Sequence, residues 1–399
     1  MRLKWTIVTR CFMKGYILAA LLLVGLLQNV GSLIAQTKRA AIAPKKTTNS
    51  GKVSPKTAKV PSKRRKVTPK YKPAPPVDPT EGDNVDGDDL EIRRAAVNAI
   101  GTMNGSVVVV DPTNGRILTM VNQKLALRNG FTPCSTIKLV TTLAALNENV
   151  VSRDQIVPIS RYVRFDLTTA LAKSNNQYFS ILGNRLGFER VTKYASMLGL
   201  GEKAGLDIPG EEPGSVPAEP PKWGGVGMMT SFGEGFLLTP LELASLVSTI
   251  ANGGTMYYLQ YPRSPEEVEK FQPKVKRTLE LPQVNYADVK FGMRGAVDFG
   301  TARRANYDSN EPILGKTGTC TDFRVSTHMG WFGSFNEVNH HQLVVVVMLT
   351  GTKTVNGPVA AGVAGAVYKQ LSERQYFAAD TTSPHKTNLP EIVTTFPRQ

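Results

Sequence analysis

Apolar and β-branched runs mark both ends of the region that can fold. Gly105–Asp111 and Arg116–Val121 are rich in valine, isoleucine and leucine, and Asp111-Pro112-Thr113-Asn114-Gly115 between them is a strong turn signal. This pattern predicts a β-hairpin. Three apolar runs in the last third of the chain predict further strands over Ile313–Thr319, His328–Phe335 and Gln342–Thr350.

The middle of the chain has the patterning of helices, and residues 165–250 are helix-rich. The clearest helix begins at Thr239-Pro240-Leu241-Glu242, a capping box with proline at the first helical position, and ends at Asn252-Gly253-Gly254. Helices are also predicted over Leu90–Ile100 and from about Pro358 to Glu373.

One more helix is expected to use Thr132 as its N-cap and Pro133 in its first turn, and to run to about Asn147. Strands therefore lie at both ends of the region, with helices between them. This order predicts a sheet whose first and last parts meet, together with an inserted helical region.

The first 36 residues predict export. Four basic residues (Arg2, Lys4, Arg10, Lys14) precede an apolar run from Tyr16 to Leu27 that continues more weakly to Ala35. A stretch of about 20 residues is just long enough to span a bilayer as an uncleaved signal anchor. Small residues near its end also permit cleavage as a signal peptide. Either alternative places the body of the protein in the cell envelope, outside the cytoplasmic membrane, anchored or periplasmic.

The formal net charge of +16 belongs to the N-terminal part of the chain. Residues 1–72 hold 17 Lys and Arg and no acidic residue, whereas the rest has 31 basic and 32 acidic residues. The nearly neutral remainder argues against nucleic-acid binding. Residues 37–88 are expected to be a basic, Pro-rich disordered linker, which is a spacer or binds anionic lipid or envelope polymers. Residues 377–399 are expected to be a polar C-terminal tail.

Three short motifs follow one another along the chain: Ser135-Thr136-Ile137-Lys138, then Ser174-Asn175-Asn176, then Lys316-Thr317-Gly318-Thr319. Together they supply a serine nucleophile, amines that can manage its proton, and a second hydroxyl. This combination fits acyl transfer through a covalent serine ester.

Ser135 is the predicted nucleophile, in the first turn of a helix whose partial positive charge favours an alkoxide. Lys138 lies three residues further on the same helix face. It can act as a base only if its pKa is lowered by burial or by a nearby cation, for which Lys316 is the candidate. The backbone N–H groups of Ser135 and Thr319 are the predicted oxyanion hole.

The other motif residues have predicted roles in proton transfer and substrate binding. Ser174 can relay a proton to the leaving group, and Asn176 can donate a hydrogen bond to a substrate amide. Thr317 and Thr319 are expected to hold a substrate carboxylate beside the lysine of the third motif, while Gly318 permits close backbone approach.

Each motif alone is a weak signal, as the chain itself demonstrates. Ser383-Pro384-His385-Lys386 repeats the first pattern in the polar tail, and Ser334-Phe335-Asn336 repeats the second, in a predicted strand-end turn. We interpret both as chance occurrences. The ordered trio, with its first member at a helix start and its third on a strand, is much more specific.

Residues 90–375 resemble the transpeptidase domain of penicillin-binding proteins, and the same kind of trio occurs in class A β-lactamases. The resemblance extends beyond the motifs. It includes the runs Val107–Pro112, Ala170–Asn176, Ser231–Gly235, Thr239–Ala244, Gly292-Met293, Gly300-Thr301-Ala302 and Trp331-Phe332-Gly333.

The resemblance implies an α/β (α+β) fold, with a five-stranded antiparallel sheet flanked by helices and an all-helical subdomain, over a domain of residues 89–376. It also implies that Ser135 attacks the penultimate D-Ala of a peptidoglycan stem peptide, that a neighbouring stem's amine resolves the acyl-enzyme, and that β-lactams acylate the same serine. Only about 50 residues separate the apolar segment from the domain, so we expect a monofunctional enzyme.

Other functions on the same fold stay open. Class A β-lactamases use a glutamate with asparagine four residues later, and this pattern is absent between Ser174 and Lys316. Class D enzymes have valine where Asn176 stands. Both differences favour a transpeptidase, with a D,D-carboxypeptidase, a serine β-lactamase and a non-catalytic envelope scaffold as alternatives.

Cys134 precedes the nucleophile, and Cys320 follows the third motif. Certain carbapenem-hydrolysing class A β-lactamases have a disulfide at the matching positions. That resemblance, and the meeting of the motifs that the fold implies, predict a Cys134–Cys320 disulfide. The four histidines and the cysteines lack metal-ligand spacing, so neither a metal nor a cofactor is expected.

Overall fold

The structure is a computed structural model that describes residues 78–338 and 341–378. The predicted export segment, the linker up to residue 77 and the tail from residue 379 lie outside the described residues. The prediction that the disordered linker extends to residue 88 is wrong at its end, because the side chains of Asp83 and Asp88 are buried and pair with Arg93 at 2.8 and 3.0 Å. Among the helices that are described, none combines the length and the apolar character needed to cross a membrane.

Five antiparallel strands form the central sheet in the order β2-β1-β9-β8-β7. Two small two-stranded sheets, β3-β4 and β5-β6, complete the strands. The strands are β1 Gly105–Val110, β2 Ile117–Val121, β3 Val157–Pro158, β4 Arg164–Phe165, β5 Thr255–Tyr257, β6 Val275–Thr278, β7 Ile313–Asp322, β8 Thr327–Asn336 and β9 Val344–Gly351.

Helices cover both faces of the sheet, and most of them lie between β2 and β7 in the sequence. The helices are α1 Leu90–Ile100, α2 Gln123–Ala126, α3 Lys138–Asn147, α4 Leu167–Ala172, α5 Asn176–Leu186, α6 Phe188–Met197, α7 Gly225–Phe232, α8 Pro240–Ala251, α9 Pro265–Glu269, α10 Gln283–Asp298 and α11 Gly357–Ser372, with 3₁₀ turns at Cys134–Ile137 and Arg303–Ala305.

The four consecutive valines of β1 explain why its strand pattern is continuous rather than alternating. Val108 and Val110 enter the larger core, which contains the inserted helices, whereas Val107 and Val109 enter a second core with α1 and α11. Successive strand residues point to opposite faces, so a strand with both faces covered is apolar throughout.

The predicted hairpin, the three C-terminal strands and the helix over Leu90–Ile100 are confirmed, as is the fold class. The capping box is confirmed too: the Thr239 hydroxyl accepts from Glu242 N–H at 3.0 Å, and Glu242 accepts from Thr239 N–H at 2.7 Å. The motif-like Ser334-Phe335-Asn336 lies within β8 rather than in a turn.

The expectation that Thr132 caps a helix is wrong. The chain first makes the 3₁₀ turn Cys134–Ile137, which has no side-chain cap, and α3 begins only at Lys138. The Thr132 hydroxyl instead donates to Asp322 Oδ2 at 3.3 Å. The Thr132 hydroxyl, which the local sequence assigns to a helix terminus, is therefore bonded to a residue that is distant in the chain.

Candidate active site

The 3₁₀ turn presents the predicted nucleophile to the predicted base. Residues three apart are eclipsed in a 3₁₀ turn, so Ser135 and Lys138 lie on one side of it. Lys138 Nζ donates to Ser135 Oγ at 2.7 Å, and Ser135 is only 9% exposed. The two side chains are thus paired before any substrate arrives.

Lys138 is fully buried among neutral oxygens. Besides Ser135 Oγ, its Nζ donates to Asn176 Oδ1 at 2.6 Å and to Ser174 Oγ at 3.1 Å. Burial, with a smaller contribution from the charge of Lys316, lowers the pKa of Lys138 well below its ordinary value. In its neutral form Lys138 keeps two N–H donors, enough for Asn176 and Ser174, and has a lone pair that can accept the proton of the Ser135 hydroxyl, which is what a general base requires.

The second motif is a sharp turn between two helices. α4 ends at Ala172, Ser174 adopts a left-handed backbone with φ of 54°, and Asn175 caps α5 by accepting from Tyr178 N–H at 2.8 Å. Strained backbone of this kind is often found at active sites. The turn brings both Ser174 and Asn176 to Lys138 and leaves the Asn176 NH₂ group without a hydrogen bond among the described residues.

The third motif lies on β7 and adds a second buried lysine. Lys316 is fully buried, and its Nζ donates to Ser174 Oγ and to the Thr317 carbonyl, both at 2.8 Å. Burial lowers the pKa of Lys316 to about 7. The Ser174 hydroxyl oxygen therefore accepts from both lysines, and its own proton is directed elsewhere.

The three predicted substrate-binding residues occupy different environments. The hydroxyls of Thr317 and Thr301 are hydrogen-bonded at 2.5 Å, and Thr317 is buried. Thr319 is exposed, and its hydroxyl accepts from Gly357 N–H at 2.8 Å. A Cβ on Gly318 would lie 3.0 Å from the Pro133 carbonyl oxygen, so glycine allows β7 to approach the nucleophile turn.

β7 is the outermost strand of the central sheet on its side and pairs only with β8 among the described strands. Such a strand has backbone N–H and C=O groups that can pair with an extended peptide. The catalytic groups and this strand edge are adjacent, because Lys316 and Thr319 belong to the strand itself.

A disulfide joins Cys134 to Cys320, whose Cα atoms are 5.5 Å apart. It connects the residue before Ser135 to the strand of the third motif.

Two site residues are outside the sequence-based assignment. Thr301 connects the end of α4 to the third motif, because its N–H donates to the Ala172 carbonyl at 3.2 Å in addition to its contact with Thr317. Only its place in the family-like run Gly300-Thr301-Ala302 gave a signal. Asp322 holds Thr132, and nothing in the local sequence distinguishes it from a solvated aspartate.

A model of the penicillin binding protein transpeptidase domain matches residues 105–372. Stage V sporulation protein D of Bacillus subtilis is 29% identical over 314 residues, which are 66% of this chain and 48% of that protein. Peptidoglycan D,D-transpeptidase FtsI of Escherichia coli is 27% identical over 249 residues, which are 51% of this chain and 42% of that protein. The chain thus spans about half the length, or less, of these curated relatives.

Solved structures show the same similarity. Pseudomonas aeruginosa PBP2, solved in complex with WCK 5153, matches with a TM-score of 0.61 and 25% identity over 74% of this chain and 78% of that chain. A peptidoglycan glycosyltransferase from Burkholderia ambifaria matches with a TM-score of 0.60 and 20% identity over 72% and 97% of the two chains, which supports the fold.

Proposed function

The chain belongs to the penicillin-binding protein transpeptidase family, and from this premise we propose that it is a peptidoglycan D,D-transpeptidase that works through a Ser135 acyl-enzyme. The observation that carries the proposal is the buried pair of Lys138 Nζ and Ser135 Oγ at 2.7 Å. A serine is a weak nucleophile until a base takes its proton, and a lysine kept neutral by burial is such a base.

The proposed reaction begins when Lys138 takes the Ser135 proton and Oγ attacks the penultimate D-Ala carbonyl of a stem peptide. The backbone N–H groups of Ser135 and Thr319 stabilise the oxyanion. Ser174, which accepts from Lys138 at 3.1 Å, passes a proton to the departing D-Ala amine. The amine of a second stem then attacks the ester, releases Ser135 and forms the crosslink.

Substrate binding in this proposal uses β7 and its charge. The stem peptide adds as an extended strand at the edge of β7, and Asn176 donates to one of its amides. Lys316, with Thr317 and Thr319, holds the terminal carboxylate. β-Lactams, which also carry a carboxylate next to a reactive amide, acylate Ser135 in the same way.

Slow hydrolysis of the acyl-enzyme is what separates this function from a β-lactamase. Among the described residues, the side chains of Ser135, Lys138, Ser174 and Lys316 make no hydrogen bond to a carboxylate. A carboxylate is the usual base for activating a hydrolytic water in class A enzymes. The site therefore favours transfer to an amine over rapid hydrolysis.

We infer the remaining organisation from the sequence. The family match at 105–372 lies inside the proposed domain of residues 89–376. Residues 1–36 anchor or export this domain, so that it works in the cell envelope outside the cytoplasmic membrane. The basic residues of the linker, which run from Lys38 to Lys72, bind anionic envelope polymers or belong to a spacer.

A fluorescent penicillin, followed for hours on the full chain, tests the proposed function. We expect a persistent covalent label that is lost in Ser135→Ala. Ser383→Ala is the matched control, because it changes the serine of the second Ser-x-x-Lys pattern and should keep the label. A label that turns over within seconds would indicate a β-lactamase, and an unlabelled folded protein would refute the acyl-enzyme.

A further inference from the structure

The segment Thr132–Lys138, which contains the 3₁₀ turn and the predicted nucleophile, lies beside β7 and contacts it at alternate residues. Alternate residues of a strand point to one face, so β7 presents every second side chain to the segment before and within α3. The facing pairs are Thr132 with Asp322, Cys134 with Cys320, Thr136 with Gly318, and Lys138 with Lys316. The innermost pair contains the two lysines of the site, and the outermost contains the carboxylate of Asp322.

Asp322 is a buried carboxylate with all its contacts on two residues. Its side chain is 1% exposed. Oδ2 accepts from the N–H and the hydroxyl of Thr132, each at 3.3 Å, and from Arg324 Nη2 at 2.6 Å. Oδ1 accepts from Arg324 N–H at 3.0 Å and from Arg324 Nε at 3.2 Å. The carboxylate thus links the turn after β7 to the chain just before the nucleophile.

The charge of Asp322 is stable at neutral pH. Burial by itself would raise the pKa of Asp322, but the hydrogen bonds and charge of Arg324, together with the Thr132 N–H, outweigh it and hold the pKa below its ordinary value. An asparagine of the same shape has no charge, and it would place an NH₂ group where Oδ1 accepts from the Arg324 N–H and Nε, so it cannot satisfy all the donors of Thr132 and Arg324.

The backbone that leads to Ser135 is held on several sides. Arg324 Nη2 donates to the Gly130 carbonyl at 3.4 Å, and Phe131 exchanges two hydrogen bonds with Leu238 at 2.9 and 2.8 Å. Trp331 Nε1 donates to the Thr132 carbonyl at 3.1 Å. The contacts of Thr132 with Asp322 and with Trp331 are the last of these before the disulfide at Cys134.

We propose that Asp322 is a positioning residue for the Ser135 nucleophile, and that it shares this task with the Cys134–Cys320 disulfide. The inference rests on the proposed acyl transfer. Asp322 fixes Thr132, three residues before Ser135, and the disulfide fixes Cys134, one residue before it. Both join the same two segments, so either one keeps the Ser135 backbone N–H in place for the oxyanion when the other is absent.

The effects of removing Asp322 and of removing the disulfide should therefore be coupled. Removal of Asp322 alone should have a small effect on acylation, because the disulfide still holds the register. The same change should have a large effect once the disulfide is gone. Groups that share one task have non-additive effects, and a tenfold excess in the disulfide-free background corresponds to a coupling energy of about 1.4 kcal/mol.

The experiment measures fluorescent penicillin acylation of Asp322→Asn in the full chain, with and without Cys134→Ser/Cys320→Ser. Rates over a range of penicillin concentrations separate the dissociation constant of the non-covalent complex from the acylation rate constant. We expect this rate constant to fall about threefold with the disulfide and about thirtyfold without it, while the dissociation constant stays unchanged. If Asp322 had only a structural role, Asp322→Asn would lower the melting temperature without this separate fall in the acylation rate constant.

Glu373→Gln is the matched control, because Glu373 pairs with Lys369 at 3.0 Å at the exposed C-terminal end of α11, the end opposite the Gly357 contact with Thr319, and should leave all rates unchanged. If Asp322→Asn does not fold, Thr132→Val decides. It removes only the hydroxyl donor and should slow acylation about threefold in the disulfide-free background.

Equal acylation rate constants with and without Asp322 in both backgrounds would overturn the proposal, as would a loss confined to the dissociation constant. An unlabelled wild-type chain would instead refute the proposed function.

Discussion

Two groups of buried charges in this molecule are treated in opposite ways. In the first, Arg93 donates to Asp83 at 2.8 Å and to Asp88 at 3.0 Å, and Tyr261 and Thr119 complete the bonding of Asp88. Both carboxylates have the guanidinium of Arg93 as their partner. In the second, at the candidate active site, Lys138 and Lys316 are buried together, and neither has a carboxylate partner among the described residues.

The presence of counter-charges in one group and their absence in the other indicate different roles for the two groups. A buried ion pair that is fully hydrogen-bonded fixes a structure, and removal of one member leaves an uncompensated charge. Two buried lysines without counter-charges destabilise their own protonated forms, so their pKa values fall. The paired cluster joins residues 83–93 to the sheet, whereas the two lysines without counter-charges include the proposed base, next to the proposed nucleophile.

The largest effect should come from removal of the base. Lys138→Met keeps a side chain of similar length but cannot take the Ser135 proton, so acylation by penicillin should slow by about 10²–10⁴-fold. Lys290→Met is the matched control: the pKa of Lys290 is also lowered by burial, but its Nζ contacts Ala251 and Glu337 outside the site. Acylation at the normal rate in Lys138→Met would contradict its role.

Stability measurements test whether the two groups of buried charges differ in this way. Arg93→Ala should lower the free energy of unfolding by about 3–5 kcal/mol, because Asp83 and Asp88 stay buried without their cation. Lys138→Met leaves no counter-charge behind, so it should lower the free energy of unfolding by less, about 1–3 kcal/mol, for the buried oxygens that lose their donor. Urea denaturation measures both. Arg294→Ala, which removes a partly exposed pair, should cost less than about 1 kcal/mol. An Arg93→Ala variant as stable as the wild type would show that the two groups of buried charges do not differ in this way.

The disulfide is expected to have the next largest effect. Cys134 and Cys320 are separated by 186 positions in the sequence, so their link restricts a long loop in the unfolded chain. Its removal should lower the free energy of unfolding by about 2–5 kcal/mol. Peptide mapping of intact and reduced protein should recover a crosslinked peptide only before reduction. Free thiols at both positions in air-purified protein would refute the bond.

The smallest effect should appear in the pH dependence. Acylation by an anionic β-lactam needs a neutral Lys138 and a charged Lys316. Because the pKa of Lys316 is about 7, the rate should fall as pH rises above that value and its charge is lost, by up to about tenfold per pH unit. In Lys316→Arg the cation persists, so the alkaline fall should disappear even if the maximal rate is lower. An unchanged alkaline fall would assign it to another group.

Local patterns predicted much of the fold. The hairpin turn at Asp111–Gly115, the capping box at Thr239 and the apolar runs of the last three strands are signals that a few neighbouring residues carry. They were confirmed because the tertiary structure uses them as local preference dictates. The same reasoning failed at Thr132, where a threonine before proline has the sequence of a helix cap but its hydroxyl has a buried carboxylate as partner.

By itself, the sequence determined which residues could do the chemistry: three motifs in one order, on a helix start, a turn and a strand. Only the tertiary structure decided that Lys138 and Lys316 are buried together around the Ser174 hydroxyl, that Asp322 faces Thr132, and that the Thr317 hydroxyl is bonded to Thr301. The reason is physical. Local conformation depends on neighbours in sequence, whereas burial, pKa and the partner of a hydroxyl depend on groups that are distant in the chain and meet only in the folded protein.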